Sequence, residues 1–154
     1  MITGDINAMW LRDSTNQMLP YLRFAKNDAL LRTMLCGVVQ RQCSQVLADP
    51  YSNAFNEWES GEGHSNDIRY PPLTKIVFEG KYELDSLAAV LKLASGYYSE
   101  TGDQQCFHHN DQRFLMAVEK ILKTVMVEQA STAINVSQSS YLFQRNTRNG
   151  MTGV

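Results

Sequence analysis

Within the first fourteen residues, Asp5, Trp10, Arg12 and Asp13 crowd together with the hydroxyls of Thr3 and Ser14. An aromatic face beside charged groups is what a pyranose pocket requires. The indole lies under the apolar side of the ring, and guanidinium and carboxylate groups take paired hydrogen bonds from vicinal hydroxyls. Read without that ligand, the same block is a helix start. Asp13 or Ser14 then caps, Arg12 makes a surface ion pair and Trp10 joins the core.

Three further blocks carry groups of the same kind. Gly61-Glu62-Gly63-His64-Ser65-Asn66-Asp67 is either a solvated acidic turn or a loop that lends His64 as a donor to a substrate hydroxyl. Glu79-Gly80-Lys81-Tyr82-Glu83-Leu84-Asp85-Ser86-Leu87 opens a helix, where acids favour the positive end of the macrodipole. Glu83 and Asp85 are two apart, so on a helix their side chains diverge. One of them faces a ligand and the other is structural. In Tyr141-Leu142-Phe143-Gln144-Arg145-Asn146-Thr147, a short edge strand runs into a loop and offers Gln144 and Arg145.

Helices must position these blocks. Ser14 to Ala25 reads as a short helix with Met18, Leu19, Leu22 and Phe24 as its apolar set, and Pro20 either kinks it or opens its first turn. Asn27-Asp28 cap a strong helix to about Ala48, with Leu30, Leu31, Met34, Leu35, Val38, Val39, Val46 and Leu47 recurring at three and four. Asp49-Pro50 stops it. Residues 50–79 form a long loop rich in Gly, Pro, Asn and Ser, with one short strand over Ala54 to Trp58. Trp58, Tyr70 and Phe78 mark that loop as ordered, and a loop of such length is functional more often than idle. Glu83 to Glu100 is the next helix, with Leu84, Leu87, Ala88, Leu91, Ala94, Tyr97 and Tyr98 as its buried stripe and Thr101-Gly102-Asp103 as its end. Asn110-Asp111 cap another, to about Gln129. The fold class is mostly α, built of paired antiparallel helices. So few helices leave apolar stripes unburied.

Composition narrows the function. The chain has 154 residues, 44% hydrophobic and 19% charged, so it can bury a core. A formal net charge of -2 with scattered basic residues gives no reason to expect nucleic acid. No apolar run reaches the ~20 residues of a bilayer span, and the N-terminus carries no signal-peptide pattern. No Cys/His set has zinc spacing, and His108-His109 reads as surface. Cys36 and Cys43, two helical turns apart at about 10 Å, are too distant to bridge. All three cysteines, with Cys106, therefore read as small buried apolar residues.

The blocks also resemble one family. Gly4, Asp5, Ala8, Met9, Trp10, Leu11, Arg12, Asp13 and Ser14 are similar to the Gly-Asp-Ile-x-Ala-Met-Trp-Leu-Arg-Asp-Ser signature of glycoside hydrolase family 125, the metal-independent exo-α-1,6-mannosidases. Lys81, Glu83, Asp85, Ser86 and Leu87 resemble its second signature, Lys-x-Glu-x-Asp-Ser-Leu. The His64 loop resembles, more loosely, a Gly-His loop, and Phe143-Gln144-Arg145 a Phe-Gln-Arg segment leading into the active site. The resemblance implies part of an (α/α)6 helical barrel, a toroid of six hairpins. It implies release of terminal mannose from α-1,6-linked mannosides with inversion and without metal or other cofactor. The partner implied is an α-mannoside or an N-glycan-derived oligosaccharide. Trp10, Arg12, Asp13, His64 and one of Glu83 or Asp85 are the implied substrate-binding residues.

Inversion needs two carboxyl groups roughly 6.5–9.5 Å apart, an acid and a base. In the family the acid lies in an Arg-Pro-Ser-Asp-Asp segment and the base further on, and both fall after Val154. No catalytic acid or base is assigned here. Residues 1–154 are expected to be the N-terminal portion of a single catalytic domain, truncated at its C-terminal end and inactive alone. Asn135-Val136-Ser137 is a glycosylation sequon, which with the glycan substrate suits a lumenal or secreted full-length protein. A non-catalytic helical module that binds a mannoside or a protein partner is the alternative reading. A different helical-barrel carbohydrate enzyme is a third.

Overall fold

The computed structural model describes residues 1–64, 67–108, 112–133, 141–146 and 152–153. Strand β1 (Met9–Trp10) runs directly into α1 (Leu11–Met18), followed by a 3-10 turn over Leu19–Phe24. The first helix thus starts three residues before the predicted Ser14 and ends early. Pro20 sits in the opening turn of the 3-10 segment, where its missing N–H interrupts no ladder. Ser14 is not a cap: it is buried, and its hydroxyl donates to the Leu11 carbonyl at 3.0 Å.

Helix α2 (Ala29–Ala48) begins as predicted, with the Asp28 carboxylate accepting from the Leu31 amide at 3.0 Å. Helix α3 (Leu84–Thr101) ends on Gly102, whose φ of 65° is left-handed and whose amide bonds the Tyr98 carbonyl. A short α4 (Gln105–His108) and a long α5 (Arg113–Ala133) complete the helices of the described residues. Asn110-Asp111, His109 and the sequon at 135–137 lie outside the described residues.

The core lies where α1 and α2 pack on α3, with α5 against α2. Leu35, Val39, Cys43 and Val46 line one face of α2, and Leu87, Val90, Ala94 and Tyr97 one face of α3. Both sets follow the helical period. A buried amide ties the layer together. Gln42 Nε2 reaches the Leu11 carbonyl and the hydroxyls of Ser14 and Thr15, and Thr15 donates to the Ala89 carbonyl.

Several residues of the predicted apolar stripes are exposed, Leu30 and Met34 on α2 and Leu84 and Tyr98 on α3, and so are Leu115, Leu122 and Met126 on α5. They lie on the outward sides of their helices, so the expected unburied apolar stripes are present. Phe24 is also exposed.

The long loop carries more strand than predicted. β2 (Ala54–Phe55), β3 (Ile68–Tyr70) and β4 (Val77–Glu79) are all short, and Trp58 lies beyond β2 and is exposed. One antiparallel sheet has the order β1-β2-β4, with Trp10 opposite Ala54 and Ala54 opposite Glu79. The other has the order β3-β5-β6, where β5 is Leu142–Asn146 and β6 is Thr152–Gly153. Strands this short, paired across large sequence gaps, leave too little alternation to be read from sequence.

The cysteine reading needs correction. Cys36 and Cys106 form a disulfide across 70 residues, with Cα atoms 5.8 Å apart, joining α2 to α4. Local spacing speaks only to neighbours on one helix, and the pairing is long-range. Cys43 alone fits the reading, a buried thiol pushed up to about 11 by burial. No helix of the described residues is long and apolar enough to cross a membrane.

Candidate active site

The site is built where three chain turns meet: the β1–α1 junction, the end of β4 and the start of α3. Because β1 feeds α1 without a loop, Trp10 occupies the N-cap position with no side-chain cap bond. Arg12 and Asp13 then fall in the first helical turn and face outward, half-exposed. With Thr3, Asp5, Ile6 and Trp10 they line a small open cleft of about 220 Å³. The Thr3 hydroxyl accepts from the Trp10 amide at 3.0 Å and so pins the N-terminal strand over the junction.

Across from them, Arg12 Nη1 donates to Glu83 Oε2 at 3.2 Å and to Asp85 Oδ2 at 2.9 Å, while Nη2 lies 3.7 Å from Asp13. The divergence expected for Glu83 and Asp85 is therefore absent. Glu83 is the N-cap of α3 with extended backbone (φ -138°), so the helical fan of directions does not apply to it. Both carboxylates converge on one guanidinium. Glu83 also accepts from the Ser86 hydroxyl at 3.0 Å and lies 3.7 Å from Lys81. The hydrogen bond to Asp85 dominates in holding the Arg12 guanidinium above its already high value, with the charges of Glu83, Asp85 and Asp13 adding to it against partial burial.

His64 joins from the long loop. Gly63, at φ +149°, brings the loop against β4 so closely that a Cβ there would lie 2.2 Å from the Phe78 carbonyl oxygen. The His64 amide then donates to that same carbonyl at 3.1 Å. The imidazole meets the Phe78 ring edge-on at 5.4 Å, and Phe78 lies 5.6 Å from Trp10, tilted by 59°. Trp10, Phe78 and His64 thus form a run of rings beside the Arg12 cluster. The six predicted residues fall into two groups: Arg12, Asp13, Glu83 and Asp85 meet by charge, and Trp10 is linked through Phe78 to His64, which lines a separate cleft with Glu62, Asp67, Arg69 and Lys75.

Sequence reasoning missed Phe78 as a spacer, and it missed Glu79 and Asn53. Glu79 is 7% exposed and accepts from Asn53 Nδ2 at 2.6 Å and from Arg145 Nη2. Burial works to raise this carboxyl. The bonds from Arg145 and Asn53, with the charges of Arg145 and His64, outweigh it, so the group sits below the usual 4.5. One signal was available: Val77 and Glu79 share a face of β4, so an inward Val implies an inward carboxylate. Of the fourth block, Arg145 pairs with Glu79 and Asp67, while Gln144 is exposed. Tyr141 is structural: its hydroxyl accepts from the Tyr82 amide and donates to the Gly80 carbonyl, and its ring stacks on Tyr51 at 4.7 Å.

An aromatic run beside a guanidinium held by three carboxylates suits a polyhydroxylated ring. The chain is 42% identical over 161 residues to the meiotically up-regulated gene 157 protein of Schizosaccharomyces pombe, covering 97% of this chain and 31% of that protein. It superposes, with a TM-score of 0.86 and 45% identity, on a Streptococcus pneumoniae metal-independent alpha mannosidase solved in a non-productive complex with alpha-1,6-mannobiose. That superposition covers 96% of this chain and 33% of the other, so the chain spans about a third of the length of these relatives. The match to the family of metal-independent alpha-mannosidases, GH125, runs over residues 1–154, and the chain belongs to that family.

Proposed function

We propose that this chain supplies the substrate-holding wall of an exo-α-1,6-mannosidase that releases terminal mannose with inversion. The observation that carries the reading is the open Arg12 cluster beside Trp10. A mannose hydroxyl entering there donates to Asp13, Asp85 or Glu83 and accepts from Arg12, while its apolar face meets the indole. Arg12, Asp13 and Asp85 are half-exposed and only weakly paired with one another, so they can exchange partners with an entering hydroxyl. The full domain is read as an (α/α)6 barrel of which residues 1–154 are the first part. The substrate class is an α-1,6-mannoside or an N-glycan-derived oligosaccharide.

Inverting hydrolysis needs one carboxyl group protonated at working pH. The carboxylates on this face suit holding rather than proton donation. Glu83, Asp85 and Asp13 share a cation, and Glu79 is pulled below its usual range. The chain by itself is therefore read as inactive. The Cys36–Cys106 disulfide supports an oxidising, lumenal or extracellular setting.

The test is mannose release from α-1,6-mannobiose by the 154-residue chain and by the full-length gene product, with the α-1,2 and α-1,3 disaccharides beside it. Turnover of the α-1,6 substrate by the full-length protein alone is expected, together with its loss in Arg12→Ala. Turnover by the chain alone would overturn the assignment of a holding role. A folded full-length protein that ignores all three disaccharides would leave the non-catalytic module in its place.

A further inference from the structure

Glu79 is not among the residues that face the cleft, yet three separate segments converge on it. Its Oε2 takes the Asn53 amide at 2.6 Å, from the turn before β2. Its Oε1 takes Arg145 Nη2, from β5, and lies 3.6 Å from His64 Nε2, on the glycine loop. The β3–β5 register supports this placement independently. Gln144 stands opposite Ile68, which brings Arg145 beside Asp67, and the two side chains meet at 3.3 Å.

The burial pattern separates this node from a scaffold ion pair. In Asp49–Arg69 both partners are enclosed. Around Glu79 the carboxylate is enclosed together with Asn53 and Asp67, whereas His64 and Arg145 are exposed over 43% and 36% of their side chains. With Nε2 of His64 facing this buried anion, Nδ1 is left as an acceptor, while Arg145 keeps further N–H groups to donate. His64 is tied in turn to the Trp10 side of the face through Phe78.

We propose that Glu79 is a positioning residue, which holds His64 and Arg145 side by side, the first to accept at Nδ1 from a substrate hydroxyl and the second to donate to one, without itself touching the substrate. The proposal rests on the mannoside-holding reading given above. It assigns a role to two residues, Glu79 and Arg145, that the Arg12 cluster does not need. A shared anion fixes the spacing of the two groups, so together they select the separation of hydroxyls on the ring they meet. Other charged groups along the separate cleft that His64 lines, Glu62, Asp67, Arg69 and Lys75, are common to every variant compared below.

The experiment is a double-mutant cycle on α-1,6-mannobiose affinity, with Glu79→Gln, His64→Ala, Arg145→Ala and the pairwise doubles. Glu79→Gln is expected to weaken binding about tenfold or more, as for loss of a charge-assisted hydrogen bond. That loss should shrink to about threefold or less when His64 or Arg145 is already alanine. An equal loss in all three backgrounds overturns the proposal, because a residue that merely supports the fold acts regardless of the two groups. A second measurement needs no variant and no ligand. Ring 15N shifts of His64, one of only three histidines in the chain, report its neutral tautomer above the imidazole titration. A single Nε2–H tautomer is expected from the facing Glu79 oxygen, and an even mixture overturns the proposal even if Glu79→Gln fails to fold. If wild type does not bind mannobiose, the mannoside reading falls, and the tautomer alone decides whether Glu79 orients His64.

Discussion

Arg69 and Arg12 each meet carboxylates, and almost everything else about them differs. The Arg69 side chain is 2% exposed and forms a two-pronged pair with Asp49, Nη1 to Oδ2 at 2.5 Å and Nη2 to Oδ1 at 2.8 Å. Gly80 makes room for it, since a Cβ there would lie 2.7 Å from Arg69 Cδ. The Arg12 side chain is 41% exposed and shares its charge among three carboxylates from two helices. Burial turns the first pair into scaffold, because neither partner can leave without stranding the other in a dry site. Exposure leaves the second weakly held and able to exchange partners with a ligand. The same two chemical groups thus serve the fold in one place and the site in the other.

Breaking the buried pair should produce the largest effect. Asp49→Ala leaves the Arg69 guanidinium enclosed and unpaired, and the expected loss is about 3–5 kcal/mol in urea unfolding. The double variant Asp49→Leu/Arg69→Met removes both charges and should regain most of that loss, since the desolvation of both ions disappears with them. A loss below about 1 kcal/mol for Asp49→Ala would place the pair in the same class as the Arg12 cluster and remove the contrast.

The Glu79 node stands between these extremes, and pH resolves it. Its folded carboxyl sits below the usual 4.5, so its contribution is fully present above that pH and is lost as pH falls through the lower folded value. Wild type should therefore lose thermal stability on acidification below about pH 4.5, and Glu79→Gln should lose less over the same interval. Asp103, held low by the Tyr97 hydroxyl, contributes acid sensitivity to both proteins alike, so the difference between the two curves isolates Glu79. Parallel curves would mean that the node contributes no net stability.

The two regions were not equally legible in the sequence. The Arg12 cluster is announced by a dense local block, and the helices that carry it follow from the apolar period of α2 and α3 and from the Asp28 cap. The mutual arrangement was misjudged at Glu83 for a local reason: two residues apart on a helix diverge, but an N-cap with extended backbone does not obey that geometry. The Asp49–Arg69 pair, the Glu79 node and the Cys36–Cys106 bridge were illegible because each joins residues at least 15 apart through strands of two to five residues, loops or packed helices. No periodicity encodes such contacts. Exposed apolar positions such as Leu30 and Leu122 mislead in the opposite sense: the period identifies a face, and only the packing says whether anything covers it.

The smallest expected change in stability accompanies the largest expected change in binding. Arg12→Ala removes a half-exposed cation, and exposed pairs of this kind contribute about 0.2–1 kcal/mol each. Glu83 keeps two other partners, the Ser86 hydroxyl at 3.0 Å and Lys81 at 3.7 Å, so no buried carboxylate is stranded. The mutant should therefore unfold within about 1 kcal/mol of wild type. Its affinity for α-1,6-mannobiose should fall by an order of magnitude or more, since the guanidinium is both a donor to the sugar and the group that aligns three acceptors around it. Titration calorimetry alongside a urea melt reads both quantities on one preparation. A variant that unfolds easily and binds normally would reverse the two roles, making Arg12 the scaffold and removing the basis for placing the mannose at Trp10.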